Sequence, residues 1–397
     1  MYEIYCRLYQ SIFRYVTRFL PWRRPARLND YPALAKVLLD KGIKTVLLVT
    51  DAGLVHAGLH AELMQVLENN GIRCVLYDKT QPNPTIDNAE EALTLYQREG
   101  CAGIVALGGG SPMDCAKAVG ARVARPGKSL PKMRGEMKVR KKIPLLIAIP
   151  TTAGTGSETT LTSVVTNSST HEKYAINDLV LIPHYAVLEP RLTLGLPPAV
   201  TAGTGMDALC HAVEAYIGLS NTSQTRQDAL KATELIYANL LTAFANGQDL
   251  DARRNMQEAA FLAGAAFNRA YVGNIHAIAH TISGFYGTPH GLANAIIMPY
   301  VLEMYGNTVY KSLSEMAVAA GIADRGAANR ENALKFIASI REMNAKMGIP
   351  DKFSELRAED IPTMVKRAMR EANPLYPVPV IFNRREMTKV YQRILEV

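Results

Sequence analysis

Between Lys44 and Pro150 the chain repeats one pattern: a short β-rich apolar run, a break of glycine, proline or polar residues, then a longer amphipathic stretch. KTVLLVTD (44–51) is followed by Gly53 and by VHAGLHAELMQVLENNG, read as one helix whose Gly71 suits the C-cap. RCVLYDK (73–79) leads through PNPT to EEALTLYQREG, with acids in its first turn, and GIVALGGG (103–110) opens a third unit. PLLIAIP (144–150) is a further strand, and VVTN, AINDLVLI and YAVLEP read as additional ones. Strands that alternate with helices imply a parallel sheet, so this part of the chain is expected to be an α/β domain.

Beyond Pro190 the texture changes. MDALCHAVEAYIGLS, TRQDALKATELIYANLLTAF and NMQEAAFLAGAAF carry helical patterns, with almost no strand signal among them. A chain of 397 residues exceeds the length at which one core stops growing. The expected division is an α/β domain at 29–190 and an all-helical domain at 191–397, with the break where Pro190, Pro197 and Pro198 interrupt regular structure.

The five cysteines, Cys6, Cys74, Cys101, Cys115 and Cys210, are scattered without a CxxC pair, which argues against a disulfide framework and a thiolate metal site. No apolar run approaches the roughly 20 residues that span a bilayer, and the first residues do not read as a cleavable signal, so a cytoplasmic location is expected. The formal charge of +8 is concentrated in two places. Six arginines face two acids up to Asp30, and nine basic residues face only Glu136 between Arg122 and Lys142. The remainder is slightly acidic, which disfavours nucleic acid as a partner. The segment 122–142 is expected to be a solvated loop.

Residues 1–28 read as a basic amphipathic helical extension. Apolar residues at 5, 8, 12, 16 and 19 line one stripe, Arg7, Arg14 and Arg18 occupy other faces, and Pro21 ends the pattern. Trp22 and arginines 23, 24 and 27 follow. Such a helix suits a peripheral membrane contact, or packing on the body or a neighbouring subunit.

Two small-residue segments stand at strand ends in the α/β part. GGGSPMDCAK (108–117) places glycines and Ser111 at a strand-to-helix turn, where the backbone can approach a pyrophosphate; a tight turn needing only positive φ is the competing explanation. It is not a GxGxxG fingerprint, and it belongs to the third unit. PTTAGTGSE (150–158) offers the hydroxyls of Thr151, Thr152 and Thr155 beyond another strand. Asp51, at the end of the first strand, would accept bonds from a ribose and repel a 2′-phosphate, which favours NAD; helix capping is its plainer role.

Five of the eight histidines, His184, His211, His276, His280 and His290, lie in or near the second half. Asp207 and His211 are four apart, as are His276 and His280, so each pair projects from one helical face. A single such histidine is more often a satisfied core residue than a ligand. Several unpartnered buried rings would cost about 1 to 3 kcal/mol each, and a shared ion removes that penalty. An aspartate with imidazoles suits Fe²⁺ or Zn²⁺, and spacing leaves both His276 and His280 eligible.

GGGSPMDCAK, PTTAGTGSE, TGMDALCHAVEAY and HAIAHTISGFYGTPHG stand in the same order as the signature segments of the iron-containing alcohol dehydrogenases. From about Asn29 to the end the chain resembles that family, nearest its lactaldehyde/propanediol oxidoreductase branch, including YDKTQPNPT and ANPLYPVPV. The resemblance implies a parallel-sheet dinucleotide-binding domain followed by an all-helical metal-binding domain, with NAD and Fe²⁺ as cofactors, Zn²⁺ the alternative. It implies Asp207, His211, His276 and His290 as metal ligands, and His280 as an active-site histidine outside the ligand set. It implies cofactor contacts at Asp51, Asn83, Gly108, Gly109, Gly110, Ser111, Asp114, Thr151, Thr152, Thr155 and Lys173. Phe267 matches a pocket-lining aromatic, and Thr162 replaces a larger polar pocket residue, which weakens the case for a small diol.

The implied activity is hydride transfer between a primary alcohol and NAD, with the metal polarising the oxygen, in a homodimer or larger homo-oligomer. His280 is the candidate catalytic proton relay, support of the neighbouring ligands without binding the metal being its competing role. Glycerol-dehydrogenase-like polyol oxidoreductases and dehydroquinate-synthase-like lyases are rivals that lack the Asp/His/His/His set. A membrane-recruited, non-catalytic member of the fold is the rival of a different class, and against it no ligand position has been lost.

Overall fold

The computed structural model describes residues 1–170 and 172–396. It contains two compact units, one of residues 21–193 and one that joins residues 1–20 to 194–397.

The first unit is built on a six-stranded, all-parallel sheet. Its strands are β1 (Ala26–Leu28), β2 (Thr45–Val49), β3 (Arg73–Tyr77), β4 (Gly103–Gly108), β6 (Leu145–Pro150) and β9 (Tyr185–Val187), in the order β1-β9-β6-β4-β2-β3. A second, three-stranded sheet has the order β5-β8-β7, from β5 (Gly135–Glu136), β7 (Thr162–Thr166) and β8 (Lys173–Asn177). The continuous apolar runs follow from burial on both faces of the large sheet. Leu47, Val49, Ile104, Ala106, Leu146 and Ala148 enter one core, and the alternating residues Val46, Leu48, Val105, Leu107, Ile147 and Ile149 enter the other. Each of the valines, leucines and isoleucines among them contributes about 1.5 to 3 kcal/mol on burial.

The structure corrects the sequence reading in four places. Ala26–Leu28, placed in the N-terminal extension, pairs in parallel with β9, because three residues are too few for a period to show. The stretch read as one helix after Asp51 is two, Ala52–His56 and Ala61–Asn69, with Gly58 at φ +72° between them. AINDLVLI is a strand only through Asn177; Asp178 then caps a 3₁₀ turn at Leu179–Leu181. The basic segment 122–142 is not a solvated loop, since Leu130, Met133 and Val139 are fully buried. Arg122 binds Glu90 at 2.5 Å, and Asp178 Oδ2 accepts the backbone N–H groups of Val139 and Arg140 at 2.9 Å. Its arginines therefore tie down a folded excursion around β5.

His184 immediately precedes β9. Its Nδ1 accepts the Leu146 N–H at 3.1 Å, and burial, with nearby Arg23, draws its pKa down to about 4. The unfolded chain protonates near the ordinary 6.5, so stability is intact above that pH and falls as pH drops toward 4, by up to about 3 kcal/mol. His184→Asn is expected to flatten that acid limb, as measured by urea titration of the metal-free protein at a series of pH values.

The second unit is helical. After Pro198–Ile217 come Ser223–Ala245, Leu250–Ala270, Asn274–Tyr286 and His290–Tyr305, then four shorter or peripheral helices ending with Arg384–Ile394. From Gly205 to Ile217 the helix Pro198–Ile217 is buried on every face, so it is the axis of the bundle. The N-terminal helix Tyr2–Thr17 packs on this unit rather than standing apart.

Candidate functional site

In the α/β unit Asp51, the Gly108–Ser111 turn and the Thr151–Thr155 loop follow the carboxyl ends of the parallel strands β2, β4 and β6, which are neighbours in the sheet. Gly108 closes β4 at φ +152°, and a Cβ there would lie 2.4 Å from Pro112 Cγ, so only glycine allows the strand to turn into the helix Gly110–Ala124. The loop after β6 lies against this turn. Thr151 N donates to Gly108 O at 3.1 Å, and Cβ atoms on Gly109 and Gly110 would meet Thr152 and Thr155 at 3.5 and 3.6 Å. Asn83, at φ +57°, donates its N–H to Ser111 Oγ at 3.2 Å and accepts from Lys173 Nζ at 2.7 Å. Asp51 Oδ1 caps the helix Ala52–His56 by accepting Leu54 N at 3.0 Å.

Asp114 accepts from Ser157 Oγ at 3.3 Å, and burial pushes its pKa up to about 6, against the pull of Lys117. Lys117 is a residue that sequence reasoning quoted within its motif and did not weigh. It is fully buried, and its Nζ lies 2.7 Å from Ser157 O, 3.0 Å from Ser157 Oγ, 2.8 Å from Thr160 Oγ1 and 2.8 Å from Thr162 O. One ammonium thus pins the end of the PTTAGTGSE loop and the first residue of β7. The i+3 spacing from Asp114 was the available signal.

In the helical unit three helices converge. Asp207 lies on Pro198–Ile217, His276 on Asn274–Tyr286, and His290 is the first residue of His290–Tyr305. A Cβ on Gly291 would sit 2.1 Å from Gly203 O, so glycine lets the last helix approach the first and brings His290 to Asp207. One ligand atom from each of Asp207, His276 and His290 lies within 4.8 Å of the others. His276 Nε2 is 3.8 Å and His290 Nε2 3.6 Å from Asp207 Oδ1. Two donors about 2.1 Å from a shared ion at a tetrahedral angle stand about 3.4 Å apart, so the donor set fits a divalent first-row metal. Asn294 Nδ2 is within 2.8 Å of Asp207 Oδ1, 3.2 Å of His276 Nε2 and 3.1 Å of His290 Nε2, so all three atoms point at one place.

His211 does not join that trio of donor atoms; its ring stacks between His276, at 4.6 Å, and Phe267, at 4.0 Å. His280 is also outside it. Its ring stacks on His290 at 5.0 Å, its Nδ1 is 2.5 Å from Glu371 Oε1, and its side chain is 45% exposed where that of His276 is 3%. Thr162 begins β7 in the other unit.

Glu214 was missed, although it stands one helical turn beyond His211 in the quoted motif. It is buried and accepts Gly273 N and Ile275 N at 2.8 Å and His276 Nδ1 at 2.6 Å. Its carboxylate fixes the His276 tautomer with the Nε2 lone pair toward Asp207 and His290. Burial drives the His276 imidazole well below its ordinary pKa, so it is neutral, as a metal ligand must be. Cys210 joins Glu214 and His276 in a second close group, but both Glu214 oxygens are already taken by N–H donors.

The family model described as iron-containing alcohol dehydrogenase matches residues 27–190, and that described as the C-terminal part of the Fe-containing alcohol dehydrogenase family matches 201–395. Alcohol dehydrogenase 4 of Saccharomyces cerevisiae is 37% identical over 366 residues, 91% of this chain and 94% of the relative. A 1,3-propanediol dehydrogenase of Klebsiella pneumoniae is 37% identical over 356 residues, 89% of this chain and 92% of its own. The crystal structure of a 1,3-propanediol oxidoreductase superposes with a TM-score of 0.89 at 34% identity, covering 94% of this chain and 98% of that one. With both halves matched by their family models and the helical half carrying a three-helix Asp/His/His cluster, the chain belongs to the iron-containing alcohol dehydrogenase family.

Proposed function

We propose that this alcohol dehydrogenase holds Fe²⁺, with Zn²⁺ the alternative, on Asp207, His211, His276 and His290, and interconverts primary alcohols and aldehydes with NAD. The observation that carries the reading is the convergence of Asp207, His276 and His290 from three helices within 4.8 Å. When bound, the ion supplies a Lewis acid for the substrate oxygen. Glu214 keeps His276 aimed, with its Nε2 lone pair toward Asp207 and His290. Phe267, stacked on His211, gives the substrate an apolar wall. Asn83, Gly108, Gly109, Gly110, Ser111, Asp114, Thr151, Thr152, Thr155 and Lys173 form the cofactor cradle. Asp51, whose Oδ1 already caps a helix, keeps a carboxylate where a 2′-phosphate would be repelled.

His280, half-exposed and paired with Glu371, carries protons between the site and solvent. His280→Ala is expected to leave metal content unchanged while turnover falls about a hundredfold and its pH dependence shifts. Loss of metal in that variant would make the residue structural. The enzyme works in the cytoplasm as a homodimer or larger homo-oligomer, and residues 1–28 provide a peripheral contact. The reading is tested by metal analysis of anaerobically purified protein, coupled to NADH formation from primary alcohols of increasing chain length. Stoichiometric iron or zinc with turnover is expected; metal and NAD binding without turnover of any primary alcohol or aldehyde overturns it.

A further inference from the structure

The N-terminal helix Tyr2–Thr17 docks by its less apolar face. Cys6 and Gln10 are buried, Arg7 donates to Val378 O at 2.6 Å and to Pro379 O at 2.8 Å, and Gln10 Nε2 donates to Tyr376 O at 2.7 Å. The apolar stripe points the other way. Ile4 is 72% exposed, Leu8 60%, Ile12 56% and Phe19 72%, with Tyr5 and Tyr15 between them at 55% and 61%. Ten of the fifteen strongly exposed large hydrophobic residues among the described residues lie in the first nineteen, so the patch is concentrated and not the usual scatter. A helix of this length presents a face about 24 Å long, and no helix of the described residues is long and apolar enough to cross a membrane.

We infer that this face lies flat on an anionic lipid surface, which gives the peripheral contact of residues 1–28 a definite occupant. Charge decides between lipid and a second copy. Arg14 and Arg18 are exposed along the border of the stripe, Glu3 is the only acid in the helix, and Arg7 is spent on the docking carbonyls. Two copies paired through this face would gather four such arginines against two glutamates, whereas phosphate headgroups complement them. Tyrosines, apolar in body and polar at the tip, suit the headgroup level. Because Cys6 and Gln10 hold the opposite face, the helix needs no rearrangement to expose the stripe.

The test uses the full-length, metal-loaded protein and vesicles of phosphatidylcholine with and without phosphatidylglycerol. Sedimentation with the anionic vesicles is expected, weakened by salt. Leu8→Glu/Ile12→Glu, at exposed positions that leave the fold intact, is expected to lower partition at least tenfold. Arg14→Gln and Arg18→Gln should each lower it about fivefold on anionic vesicles alone. Alcohol turnover in vesicle-free buffer should match the parent in all these variants, and its absence in the parent would overturn the proposed activity without touching vesicle binding. No partition onto either vesicle at low salt overturns the inference. So does a change of oligomer mass in Leu8→Glu/Ile12→Glu with vesicle binding unaltered, which would assign the face to a second copy.

Discussion

Asp207→Asn is expected to purify without its metal and to lose at least three orders of magnitude in kcat/KM, while its far-ultraviolet circular dichroism stays that of the parent. The carboxylate is the one anionic donor among the clustered ligand atoms, and both His276 Nε2 and His290 Nε2 lie within 4 Å of its Oδ1. An amide of the same shape keeps the packing of a buried position on the axial helix but removes the charge that a divalent cation needs. A Lewis acid contributes several kcal/mol to this chemistry, and each 1.36 kcal/mol is tenfold in rate. Glu214→Gln is expected to be milder and different in kind. It weakens the bond that orients His276 without removing a ligand, so metal affinity measured by chelator competition should fall about 10- to 100-fold. Equal metal retention in Asp207→Asn and the parent would remove Asp207 from the ligand set.

Periodicity found the two kinds of domain because both report burial: strands covered on both faces read as unbroken apolar runs, and Asp207 and His211 repeat at helical spacing. Choosing between His276 and His280 lay beyond spacing, since both sit on one helix four residues apart. What separates them is the close approach of Gly291 to Gly203, a tertiary contact with no local signature, which brings His290 to one of them. The direction of the N-terminal stripe was equally hidden. An amphipathic pattern announces that a face is apolar, but the docking bonds of Arg7 and Gln10 decide which side meets the body. The segment 122–142 failed for the converse reason, since its charge masked the buried anchors Leu130, Met133 and Val139.

Lys117→Met is expected to destabilise the metal-free protein by about 3 to 5 kcal/mol in urea denaturation, a large effect for a residue with no exposed atoms. Methionine fills the space of the aliphatic stem but supplies no donor. The carbonyls of Ser157 and Thr162 then lose the ammonium each accepts from, and a buried acceptor left without a partner costs about 1 to 3 kcal/mol. The hydroxyls of Ser157 and Thr160 can turn elsewhere and should add less. Two carboxyls, Asp114 and Glu158, also lose their nearest cation, and burial already pushes them up to about 6 and about 7. Because the same ammonium contacts hold the loop after β6 against the helix that follows β4, weaker NAD binding should accompany the lost stability. Titration calorimetry should show it at temperatures where the variant is still folded. Lys117→Arg tests whether charge alone suffices. A planar fork cannot aim at four acceptors grouped around a single nitrogen, and its extra volume has no space in a fully buried site. It is therefore expected to restore little of the stability, and full recovery would show that the cation acts through its field rather than through the bonds it makes.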